Sequence, residues 1–68
     1  MEEIIQQIQA RRESLKISQQ DLAEMSGVSL RTINAFESRK ANPSLEILLK
    51  MLAPLGLKLT LSERVKIL

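Results

Sequence analysis

A mainly helical domain, four short helices followed by one C-terminal strand, is what this sequence predicts. Three observations carry that expectation. Four stretches repeat apolar side chains at helical spacing. The two prolines and two glycines stand between those stretches, never inside them. After Gly56 the apolar period changes from helical to alternating. Residues 1–56 then form the helical domain, and residues 57–68 a strand and tail.

Each element has its own signals. The first helix spans Glu2 to Ser14, with Ile4, Ile5, Ile8, Arg12 and Leu15 on one stripe and Gln6, Gln9 and Glu13 opposite. Acids at its start and Arg11, Arg12 and Lys16 at its end suit the helix dipole. The second starts at Ser18, with Asp21 three residues on as a capping-box partner, and stops before Gly27. The third follows Ser29 as N-cap and runs to about Ser38. Arg39 to Pro43 is a polar loop, with Asn42 as a turn residue. Ser44 caps the fourth helix, which is expected to bury Leu45, Leu48, Leu49 and Leu52. Met25 and Met51 read as core filler. Pro54 lacks the N–H needed to bond back to Lys50 and ends the helix. Gly56 is the turn residue after it.

Leu57, Leu59 and Leu61 alternate with Lys58, Thr60 and Ser62, as in a half-buried strand. Leu57 and Leu61 also lie four apart, so a helical reading shares the same residues. A lone strand has an unpaired edge. Its simplest partner is the same strand of a second copy, in an antiparallel ribbon about a two-fold axis. Leu57, Leu59 and Leu61 are then the dimer interface.

Composition narrows function. The 68 residues allow one domain with a marginal core, which helical regularity or oligomerisation must support. Without Cys or His, the chain lacks a disulfide, the usual zinc ligands, and the usual general base and activated nucleophile. No enzyme, metal or cofactor is expected. Apolar runs too short for a bilayer, and acids at Glu2 and Glu3, point to a cytoplasmic protein rather than a membrane or exported one. The net charge of +2 says little. Its placement says more: Arg31, Arg39 and Lys40 face only Glu37 within residues 29–44, and Lys58, Arg64 and Lys66 face only Glu63 within 57–68. An ordinary mixed surface would look similar.

Residues 19–38, QQDLAEMSGVSLRTINAFES, carry the functional signal. Leu22 and Ala23 face the next helix, and Ala23 is small enough for a close crossing. Gly27 turns the chain in the left-handed conformation. Val28 plugs the corner, and Ile33 and Phe36 point inward from one face. Two short helices joined this way form a helix-turn-helix, whose second helix can enter the DNA major groove. With Ile33 and Phe36 inward, Leu30, Arg31, Thr32, Asn34 and Ala35 face outward. Arg31 suits a bidentate bond to guanine O6 and N7. Leu30 and Ala35 offer apolar contact, for example to a thymine methyl. Thr32 can take phosphate or a base, and Asn34 can read adenine or lie to one side.

SQQDLAEMSGVS, the TIN-F-E stretch and NPSLEILLKML together resemble the phage-repressor (XRE-type, lambda-repressor-like) helix-turn-helix family over residues 2 to about 56. The tail LGLKLTL resembles the HipB-like antitoxin branch, whose C-terminal strand pairs across the dimer. The resemblance implies an ion pair between Arg12 and Glu37 joining the first and third helices. It implies that Gln19 binds phosphate and buttresses the reading helix. It also implies that Ser38, Arg39 and Lys40 contact the DNA backbone. Leu30 departs from the Gln frequent in the family, which bears on base preference.

The expected function is a homodimeric, sequence-specific repressor of a palindromic operator, with reading helices about 34 Å apart. The HipB-like tail implies the autoregulating antitoxin of a HipA-like kinase toxin. The alternative is a protein-binding antitoxin or interaction module with weak or no specific DNA binding. Its partner surface would be the outer face of the first helix and the tail from Arg64 to Leu68.

Overall fold

The computed structural model describes residues 1–61 and 65–67. Its elements are α1 (Glu2–Ser14), α2 (Gln19–Ser26), α3 (Leu30–Glu37) and α4 (Leu45–Leu52), a 3-10 turn at Ala53–Leu55, and strands β1 (Leu59–Leu61) and β2 (Val65–Ile67). Arg64 and Leu68, the bounds of the candidate partner tail, lie outside the described residues, as do Ser62 and Glu63.

Side chains close the starts of α2, α3 and α4. Ser18 Oγ accepts from the Asp21 amide at 2.9 Å while Asp21 accepts from the Ser18 amide at 3.1 Å, a reciprocal capping box. Ser29 and Ser44 cap α3 and α4 through the amides of Thr32 and Ile47. Gly27 leaves α2 at φ +76°, in the left-handed region.

Two other helices end in the same region without glycine. Lys16 (φ +58°) follows α1 and Arg39 (φ +63°) follows α3. In both, the left-handed residue bonds back three positions and the next residue five: Lys16 to Glu13 and Ile17 to Arg12, then Arg39 to Phe36 and Lys40 to Ala35. These are Schellman closures, which satisfy the last helical carbonyls.

The core is built from Ile5 and Ile8 of α1, Leu22 of α2, Val28 of the turn, Ile33 and Phe36 of α3, and Leu48, Met51 and Leu52 of α4, with Leu55 and Ile67 completing it. Phe36, the only aromatic residue, is 1% exposed at its centre. Four expected core residues fall outside it. Leu45, Leu49 and Met25 are exposed, and so is Leu15. The buried arc of α4 centres on Leu48 and Met51, with Ile47 half-buried beside them, which turns Leu45 and Leu49 towards solvent. Met25 lies in the last turn of α2 and is 55% exposed, and Leu15 lies past the last turn of α1.

Pro54 does more than stop α4. It sits in the first turn of the 3-10 segment, where its missing N–H is harmless. Gly56 follows at φ +70°, and the Leu57 amide bonds back to Leu52. Arg11 Nε donates to the Leu55 carbonyl at 2.9 Å, tying this corner to α1.

The strand has a partner within its own chain. β1 pairs antiparallel with β2 in the register Leu59–Ile67, Thr60–Lys66, Leu61–Val65. This corrects the premise that the strand lacks a neighbour unless a second copy provides one. Leu57 and Leu59 pack against the core of their own chain, Ile67 is buried, and β2 lies against α1. Leu61 is 85% exposed, so the alternation of burial ends with Leu59.

Candidate nucleic-acid interface

α2 and α3 pack against each other around Leu22, Val28 and Ile33. The amphipathic spacing of α3 decides what faces out: Ile33, Phe36 and Glu37 are buried, while Leu30, Arg31 and Asn34 are exposed and Thr32 and Ala35 are half-buried.

A polar network fixes the inner side of this helix. Arg12 Nε donates to Glu37 Oε2 at 2.8 Å, and Arg12 Nη2 donates to Glu37 Oε1 at 2.9 Å. Both residues are buried, and Arg12 Nη1 donates to the Ile17 carbonyl at 2.7 Å. The pair therefore joins α1 to α3 with its polar atoms satisfied, the condition under which a buried ion pair is tolerated. The hydrogen bond from Arg12 to Glu37, aided by their charge attraction, holds the guanidinium above its ordinary pKa.

Gln19 extends the network to the surface. Its Nε2 donates to Glu37 Oε1 at 2.9 Å, and its Oε1 accepts from Asn34 Nδ2 at 3.3 Å. One amide thus links the buried pair to a side chain on the outer face of α3. The resemblance implies that Gln19 binds phosphate and buttresses the reading helix, and Asn34 is expected to read adenine or lie to one side; neither expectation includes the bond between the two. Two polar side chains on consecutive helices, both long enough to meet, are the signal that was available.

The remaining residues divide by what already occupies them. Arg31 and Lys40 are exposed, and their side chains have no hydrogen-bond or ion-pair partner among the described residues. Leu30 is 41% exposed, a large apolar side chain beside Arg31. The Thr32 hydroxyl accepts from Ser29 Oγ at 2.8 Å. Ser38 Oγ donates to the Ala35 carbonyl at 3.3 Å.

Arg39 turns back instead of outward. Its Nε and Nη2 donate to the Glu2 carboxylate at 2.9 and 2.7 Å, and Nη1 donates to Gln9 Oε1 at 3.4 Å and to the Glu37 carbonyl. The two partners shift each other: Arg39 holds the Glu2 carboxyl below its ordinary pKa, and Glu2 raises that of Arg39. The sequence signal for this contact is weak, because Glu2 and Arg39 are 37 positions apart.

Among the described residues, no three acidic side chains converge on a metal position. No helix among them is long and apolar enough to cross a membrane.

Comparison with known proteins agrees with this architecture. An uncharacterized HTH-type transcriptional regulator of Haemophilus influenzae is 43% identical over 58 residues, 85% of this chain and 59% of the relative. Putative HTH-type transcriptional regulatory proteins of Methanococcus maripaludis strains C5 and C7 are each 52% identical over 40 residues, 59% of this chain and 12% of the relative. The chain thus spans about three-fifths of the Haemophilus protein and a small part of the archaeal ones. No solved structure matches. The Helix-turn-helix family matches residues 8–61, through the whole of α2, α3 and α4, and this chain belongs to it.

Proposed function

We propose that this chain is a sequence-specific DNA-binding transcriptional repressor that reads a two-fold symmetric operator as a homodimer. The observation that carries the reading is the outer face of α3. Arg31, whose side chain has no partner among the described residues, stands there with Leu30, Asn34 and Ala35, on a helix held from behind by Ile33, Phe36 and the Arg12–Glu37 pair. Arg31 takes guanine, Leu30 and Ala35 take apolar contact, and Asn34, oriented by Gln19, reads a neighbouring base. Thr32, Ser38 and Lys40 approach the DNA backbone, and Gln19 retains a second amide hydrogen for phosphate. The regulator names of the relatives support the coarser part of this reading, a DNA-binding transcriptional regulator.

Dimerisation lets two reading helices meet successive turns of the groove, about 34 Å apart. Exposed Leu45, Leu49 and Leu61 supply apolar surface for the second copy. Leu57 and Leu59 contribute less than the strand pattern suggests, because their own core already covers part of each.

The test is fluorescence anisotropy on the DNA upstream of the chain's own gene and on a scrambled duplex, at two salt concentrations. Tight, sequence-dependent binding with a steep salt slope is expected. Equal, weak binding to both duplexes would remove the repressor reading. A second reading, antitoxin of a HipA-like kinase, rests on the LGLKLTL tail and the same exposed leucines. Co-purification of the chain with such a kinase encoded beside it is the expected result.

A further inference from the structure

We propose that Glu2 is an internal competitor for Arg39, a carboxylate seated where a DNA phosphate would otherwise bind, and that it sets the strength and salt dependence of DNA binding. This inference rests on the DNA-binding reading above.

Arg39 is the left-handed residue that closes α3, a position glycine would fill without strain. An arginine is there instead, and its guanidinium forks onto both oxygens of one carboxylate: Nε lies 2.9 and 3.2 Å from Glu2 Oε1 and Oε2, and Nη2 lies 2.7 Å from Oε2. The same planar fork matches a phosphate. Arg39 also adjoins Lys40, an exposed cation at the end of the proposed reading helix. Release from Glu2 would therefore add a second cation at that end.

The two ion pairs that join α1 to the end of α3 differ in exchangeability. Arg12 and Glu37 are closed off from water. The Arg39 and Glu2 side chains are 39% and 56% exposed, so solvent and salt reach the pair and a phosphate can replace the carboxylate. Glu2 occupies the first turn of α1, while Ile5 and Ile8 anchor that helix, so the carboxylate can let go without unpacking the core. Like any glutamate of ordinary or lowered pKa, it is charged at neutral pH.

The test measures anisotropy of a labelled mixed-sequence duplex against salt for the full chain. The variants are Glu2→Gln, Glu3→Gln, Arg39→Ala, Lys40→Ala and the Glu2→Gln/Arg39→Ala double variant. The Glu3 side chain has no ion-pair or hydrogen-bond partner among the described residues, so Glu3→Gln makes the same charge change without freeing Arg39. Thermal unfolding verifies that each variant is folded.

Glu2→Gln is expected to bind several-fold more tightly at low salt, with the slope of log K against log salt steeper by about 0.9 for each protomer bound, one extra phosphate per copy. Glu3→Gln should leave the slope unchanged, and the double variant should match Arg39→Ala. Equal effects of Glu2→Gln and Glu3→Gln overturn the proposal. So does an unchanged Glu2→Gln beside a weakened Lys40→Ala, which leaves the DNA reading standing. If neither the natural chain nor Glu2→Gln binds duplex DNA, both fall.

Discussion

Gln19 and Arg12 donate to the same oxygen, Glu37 Oε1, each at 2.9 Å. Glu37 is therefore the point where all three helices around the candidate interface meet: α1 through Arg12, α2 through Gln19 and α3 through itself. The anchor is ionic and buried, and its outermost member, Asn34, stands on the face proposed to read DNA. Removing one member should disturb folding before it disturbs recognition.

Arg12→Met is expected to lower stability by about 3 kcal/mol, because it leaves the Glu37 carboxylate buried without its cation. That is a large part of what a domain this small possesses. The double variant Arg12→Met/Glu37→Leu should recover much of the loss, since no buried charge remains. Urea denaturation with a constant m-value checks both. A double variant no better than the single would show that packing, not the stranded charge, sets the loss.

The left-handed closures make opposite predictions for two residues. Lys16→Gly should stabilise the chain by up to about 1 kcal/mol, because it relieves the strain at φ +58°. Gly27→Ala should destabilise by about 1 kcal/mol through backbone strain alone, because no atom lies within 4 Å of the added methyl. Thermal melts of the two variants would show the midpoint moving in opposite directions.

Arg31→Ala should discriminate against specific DNA in particular. A lost bidentate guanine contact is worth about 1–3 kcal/mol and relaxes preference at one base pair. Lys40→Ala should weaken binding to all sequences alike and reduce the salt slope by about one. Competition binding with single-base operator variants separates the two patterns.

The Glu2–Arg39 pair gives a pH dependence of known sign. The folded-state pKa of Glu2 is depressed, so its contribution is complete above the unfolded value of about 4.3 and disappears as pH falls through the lower folded value. Carboxyl NMR titration should place the Glu2 midpoint below that of Glu2 in Arg39→Ala. Stability should differ between the two proteins at neutral pH and converge in strong acid. Coincident Glu2 midpoints would contradict the pair.

Deleting residues 57–68 should destabilise even a monomer, because Leu57, Leu59 and Ile67 pack on the chain's own core. Melting temperatures that fall by the same amount at low and high protein concentration are expected for that intrachain contribution. A loss seen only at high concentration would assign the segment to a dimer interface alone.

What the sequence by itself determined is local. The serine caps, the left-handed Gly27, the inward Ile33 and Phe36 and the ends of α1 depend on residues within about one helical turn of each other, so their neighbours in the chain specify them. The pairing of Arg12 with Glu37 was implied by resemblance, not by spacing. Only the tertiary structure decided which arc of an over-supplied apolar helix is buried: α4 carries more leucines than one face can use, and its packing against α2 and the 3-10 turn buries Leu48, Met51 and Leu52 rather than Leu45 and Leu49. It also decided that β1 pairs with β2, since an alternating strand shows that it needs a neighbour but not which one. Arg39 shows the same division most clearly. The family resemblance implied a phosphate contact for it, but its conformation at φ +63° and the proximity of Glu2 across the fold turned its guanidinium to α1, and a through-space contact of that kind leaves no local pattern to read.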